Sequence, residues 1–157
     1  MYFEIKGILD FEPENKTKKH LSQAAWKKHA VILTDCDTHL YYAWFLKKRF
    51  NLELIRPLRG CHVTLIADKV DNKIFEQAAK QFHGKSISFE YENDPRSNGE
   101  HWWLRVKCPQ GEAIREVMGL SPKPFWSFHL TIGEVVNKQY CVDHSNYIIR
   151  QRILFDI

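Results

Sequence analysis

An α+β domain with mainly antiparallel sheet is the fold class this sequence predicts, on three observations. Apolar runs of strand length alternate with stretches of helical spacing, and at least one strand pair is joined by a hairpin. The third is composition: 157 residues, 44% hydrophobic and 27% charged, suit one ordinary globular domain. No linker, repeat array or low-complexity block divides the chain, so residues 1–157 read as a single domain.

The elements follow in order. Residues 2–9 alternate imperfectly and read as a strand. Residues 11–20, polar with a proline and a lysine run, read as a loop or helix entry, and residues 21–28 as one or two helical turns. The apolar run 29–34 is a buried strand. Asp37 and Thr38 then cap a helix to Phe50, with Leu40, Trp44, Leu46 and Phe50 on its apolar face. Pro57 and Gly60 punctuate before a strand over 61–67. Residues 71–83 form a helix ended by Gly84, and 85–92 alternate cleanly as a half-buried strand. The turn-rich 93–100 closes a hairpin onto a strand over 101–107. A helix over 109–120 begins at Pro109, a strand covers 126–134, and the tail 140–157 is mixed.

Composition also excludes. No run approaches the length of apolar sequence a membrane helix needs. The opening MYFEIKGILDFEPEN turns acidic too soon for a signal peptide, so none is expected. A formal charge of +4 permits an anionic ligand without demonstrating one. Cys36, Cys61, Cys108 and Cys141 lack CxxC spacing and read as reduced, packed thiols, neither a disulfide framework nor a zinc site. Phosphate-binding loop, dinucleotide-binding, metalloprotease and nucleophile-elbow motifs are all missing.

One constellation stands out. His62-Val63-Thr64 lies in GCHVTLIAD and His129-Leu130-Thr131 in SFHLTIGEV. Eight histidines and five threonines in this length give an expectation of only about a quarter of one His-x-Thr triplet by chance, yet two occur, both in apolar strands. Residues i and i+2 of a strand share a face, so each strand presents an imidazole and a hydroxyl opposite a core-facing apolar set. Two imidazoles can serve as base and acid at one pH, and adjacent hydroxyls can hold phosphate oxygens as charge develops. No carboxylate cluster accompanies them, and two histidines alone are an incomplete ligand set for catalytic zinc, so no metal or other cofactor is expected.

Two His-x-Thr motifs, 67 residues apart from His62 to His129, resemble the 2H phosphoesterase superfamily. Within it, FEPENKTKKH, RPLRGCHVT, NDPRSNGEHWWL and SFHLTIG look like the phage anti-CBASS proteins. The resemblance implies two pseudo-symmetric lobes, with antiparallel sheets flanked by helices around a central groove. It implies His62, Thr64, His129 and Thr131 as the catalytic quartet. The implied reaction is metal-free hydrolysis of 3′–5′ bonds in cyclic di- and trinucleotides such as cyclic GMP–AMP, in the host bacterial cytoplasm, with no membrane or duplex DNA as partner. A phage would thereby evade host signalling immunity. Action on linear RNA ends or 2′–5′ oligonucleotides, and non-catalytic nucleotide sequestration, stay open as alternatives.

Further contacts are expected around the quartet. Trp103 faces the groove if Trp102 packs inside, and Trp126 walls it. Arg59 is close enough to the first motif to reach a phosphate, and Lys19 belongs to the densest basic run, a candidate arm over an anion.

Overall fold

Alternation of apolar and polar side chains builds strands that bury one face and leave the other open, and this chain is organised on that contrast. The computed structural model describes residues 1–13 and 27–136. Lys19, most of the helical turns expected over 21–28, and the tail with Cys141 lie outside the described residues; where that expectation reaches them, Lys28 opens a strand instead. Among those described, the strands are β1 (Tyr2–Phe11), β2 (Lys28–Leu33), β3 (Leu54–Ile55), β4 (His62–Asp68), β5 (Ser86–Glu92), β6 (Arg96–Ser97), β7 (His101–Lys107) and β8 (His129–Val135). The helices are α1 (Thr38–Phe50), α2 (Asn72–Phe82) and α3 (Pro109–Val117).

All recorded strand pairings are antiparallel. The sheet order is β3-β8-β4-β2-β1-β5-β7-β6, and a further β7–β8 pairing closes six strands into a ring. The α+β antiparallel expectation therefore holds, with a closure that local patterning does not announce. Around the ring the order β4-β2-β1-β5-β7-β8 is unchanged when β1, β2 and β4 are exchanged for β5, β7 and β8.

A girdle of direct register partners carries the core. Leu9 pairs with Ile32, Ile32 with Val63, Val63 with Leu130, and Leu130 with Leu104. None is more than 2% exposed. Burying each such side chain contributes roughly 1.5–3 kcal/mol before entropy is charged against it. The helices cover this same face: Phe75 of α2 lies 5.3 Å from Phe11, and Phe50 of α1 stacks 6.4 Å from Trp102. Gly111 lets α3 approach closely, since a Cβ there would lie 2.9 Å from Leu65 Cδ1. Arg115 of α3 then donates to Asp68 Oδ2 at 2.8 Å, to the Leu65 carbonyl at 2.9 Å and to the Ser121 carbonyl at 2.8 Å. This ties the end of β4 to the segment leading into β8, the two strands that carry the motifs.

Two details differ from expectation. Trp44 is not core: it is 55% exposed, and the buried side of α1 is His39, Tyr42 and Leu46. Helical spacing admits both stripes, and the polar-looking His39 and Tyr42 won because they face the sheet. Asp71 does cap α2, accepting from the Lys73 and Ile74 amides, whereas Asp37 makes no side-chain cap on α1.

Candidate active site

The two His-x-Thr strands are neighbours. Val63 pairs with Leu130, the single residue pair joining β4 to β8. Continuing that antiparallel register by one residue sets His62 opposite Thr131 and Thr64 opposite His129. Val63 and Leu130 are both fully buried, so the quartet occupies the opposite, open face, where all four side chains are partly exposed. The sequence brings these four together, and the structure places them on one patch.

Each imidazole is held in the same way. His62 Nδ1 lies 2.9 Å from the Gly60 carbonyl, and His129 Nδ1 lies 2.9 Å from the Ser127 carbonyl. A carbonyl oxygen only accepts, so each Nδ1 carries the proton and donates it. In the neutral ring this leaves Nε2 as the acceptor, free for the open face. The carbonyl can point back at the ring because its own residue is left-handed, with φ 64° at Gly60 and 57° at Ser127. Both turns are closed alike, Gly60 N donating to the Pro57 carbonyl at 3.1 Å and Ser127 N to the Pro124 carbonyl at 2.9 Å.

These contacts expose a longer repeat that the triplets alone concealed. Residues 57–64 read Pro-Leu-Arg-Gly-Cys-His-Val-Thr and residues 124–131 read Pro-Phe-Trp-Ser-Phe-His-Leu-Thr. Aligning the flanks of the triplets would have found it. It also explains why β8 begins at His129 rather than at 126: the turn over 124–127 removes those residues from the ladder.

Surroundings separate the two imidazoles. Burial pushes the His62 imidazole down from the ordinary 6.5 to about 4, helped by the charge of Arg59 and neighbouring histidines and opposed by the Gly60 hydrogen bond. Its direct cross-strand partner on β2 is Leu33, and Val31 stands beside Thr64. On the other side His129 partners Arg105 and Thr131 partners Trp103 across β7. The Trp103 ring stands edge-on to His129 at 6.4 Å, while Trp102 is buried in the core. Arg105 was not singled out from sequence, because only the β7–β8 register brings it to the site.

The remaining expected contacts divide. Arg59 is partly buried and within electrostatic reach of both His62 and the Asp10 and Glu12 carboxylates. It lines a cavity of about 650 Å³ with Ile8, Asp10, Leu33 and His83. Trp126 is 79% exposed and packs edge-on to Phe125 at 4.9 Å in the turn before β8. No group of three His, Cys, Asp or Glu with metal-binding geometry occurs among the described residues. Among the same residues no helix is long and apolar enough to cross a membrane. No protein-family model, curated protein or solved structure matches the chain.

Proposed function

We propose that the protein is a 2H-type phosphodiesterase that opens cyclic di- or trinucleotides by hydrolysing a 3′–5′ bond. In this reading β1-β2-β4 and β5-β7-β8 are the two related lobes, and the quartet lies where they meet. The observation that carries it is the repeated carbonyl clamp, Gly60 on His62 and Ser127 on His129, which fixes two imidazoles in one tautomer on one patch. A sheet that merely displayed two surface histidines has no need to orient both alike.

The chemistry follows from the two environments. His62, kept neutral by its buried setting, takes a proton at Nε2 from the attacking oxygen, either a ribose 2′-hydroxyl or water. His129 in its protonated form donates from Nε2 to the departing oxygen. Thr64 and Thr131 donate to the non-bridging phosphate oxygens, and Arg105 adds a cation beside them. Trp103 offers a stacking face to a base. The scheme uses proton transfer alone and calls for no metal or cofactor. Degradation of such messengers in an infected bacterium would disarm host signalling, the role the sequence resemblance implies.

A substrate panel tests the reading: cyclic dinucleotides and trinucleotides against linear 2′–5′ and 3′–5′ oligomers, each with excess EDTA. The reading requires cyclic substrates to be opened fastest and EDTA to leave rates unchanged. Turnover restricted to linear oligomers, or dependence on added Zn²⁺ or Mn²⁺, would overturn it.

A further inference from the structure

Cysteines reduced to inert packing by their spacing turn out to be paired in space. Cys36, in the turn between β2 and α1, and Cys61, the residue before His62, have their sulfurs 3.2 Å apart. Twenty-five positions separate them in sequence. Backbone and side chain both hold the approach: Thr34 N donates to the Cys61 carbonyl at 3.0 Å, and Thr34 Oγ1, with one proton to share between that carbonyl and Cys36 Sγ, lies 3.2 Å from the carbonyl oxygen. Thr38 Oγ1 donates to Cys36 Sγ at 3.4 Å, and Thr34 Oγ1 lies 2.9 Å from that sulfur. A disulfide needs the sulfurs at about 2.05 Å, so closure asks for a displacement of only about 1 Å.

We propose that Cys36 and Cys61 are a reversible oxidation site, closing to a disulfide when hydrogen peroxide reaches the protein. Cys36 is the attacking sulfur, because it is the more exposed of the two and Cys61 is buried. Burial opposes its ionisation, but the combined hydrogen bonds to Cys36, led by Thr34 and Thr38, hold its thiol below the ordinary value. Burial pushes the Cys61 thiol up to about 12, which keeps it protonated until it resolves the intermediate. The atoms balance as follows. The Cys36 thiolate attacks one peroxide oxygen, the O–O bond breaks, and the departing oxygen leaves as water after protonation. The resulting sulfenic acid is attacked by Cys61 sulfur, which gives up its proton as the S–S bond forms, and the sulfenic oxygen leaves as a second water. Two thiols are oxidised to one disulfide while hydrogen peroxide is reduced. The bond would staple the 34–38 turn to the residue immediately before His62. Disulfides in a reducing compartment are characteristically transient ones of this kind.

The test is peptide mapping of the full chain after hydrogen peroxide and alkylation. Trypsin leaves Cys36 in peptide 29–47 and Cys61 in peptide 60–69. The expected result is a single cross-linked species of these two peptides, lost on treatment with a thiol reductant and absent from Cys36→Ser. Recovery of both peptides separately alkylated, or cross-linking of either cysteine to Cys108 or Cys141, would overturn the proposal. The readout does not depend on any enzymatic activity, so it stands or falls apart from the phosphodiesterase reading.

Discussion

The segments 57–64 and 124–131 share a backbone plan and differ in nearly everything attached to it. Both place a proline, a left-handed residue, a histidine and a threonine at the same intervals, and both clamp Nδ1 with a carbonyl at 2.9 Å. The first sets Leu33 and Val31 across from its histidine and threonine, with the Arg59 charge also within reach of the imidazole, and the second sets Arg105 and Trp103 across from its own. The left-handed position is Gly60 in one and Ser127 in the other. What the likeness fixes is orientation, and what the difference supplies is a division of labour. In the proposed reaction the side of His62 would hold a neutral base, while the side of Arg105 and Trp103 would receive phosphate and nucleobase.

The largest expected effect comes from removing either imidazole. His62→Ala and His129→Ala should each lower turnover of a cyclic dinucleotide by roughly 10²- to 10⁴-fold if each transfers a proton. The double variant should be barely worse than either single one, because the two act as a unit. Additive losses in the double variant would break the shared-site account.

Next is the pH dependence of the first imidazole. His62 titrates near 4 when folded and near 6.5 when unfolded. In that window the unfolded chain binds a proton the folded chain refuses, so stability falls as pH drops from about 6.5 toward 4. Below about 4 the loss levels off, having reached roughly 3 kcal/mol. Urea unfolding of wild type and His62→Gln across this window measures it, and the difference between them should shrink as pH is lowered. The same shift should carry the acidic limb of the rate profile below the ordinary imidazole value of 6.5.

Arg105→Gln probes the cationic side. Losing a charge-assisted contact to phosphate should raise KM about 10-fold or more with less effect on kcat, since the cation binds substrate and transition state alike. Matching the left-handed positions should have the smallest effects. Gly60→Ser imposes a side chain at φ 64° with no neighbouring atom in the way, and should cost about 1 kcal/mol by strain alone. Ser127→Gly relieves that strain while adding unfolded-chain entropy, and should change stability by about 1 kcal/mol or less. Thermal unfolding reads both.

Much of this was legible in local pattern. The strand over 101–107 coincides with β7 residue for residue, because its alternation is clean and Pro109 stops it. That His62 and Thr64 share a face, like His129 and Thr131, follows from the two-residue period alone. Ring closure was not legible, since it needs β8 to pair with both β7 and β4, and the β4–β8 contact rests on one pair between residues 67 apart. The exposed Trp44 was misread because α1 carries two competing apolar stripes. The Ser127 turn was hidden because serine does not advertise a positive φ as glycine does.

The most direct test of the central claim is to incubate the purified protein with cyclic GMP–AMP in EDTA and follow it by mass spectrometry, alongside His62→Ala and His129→Ala. The account predicts a linear dinucleotide with wild type and almost none with either variant. Product formed equally by all three, or intact ligand released on heat denaturation of every one, would contradict it.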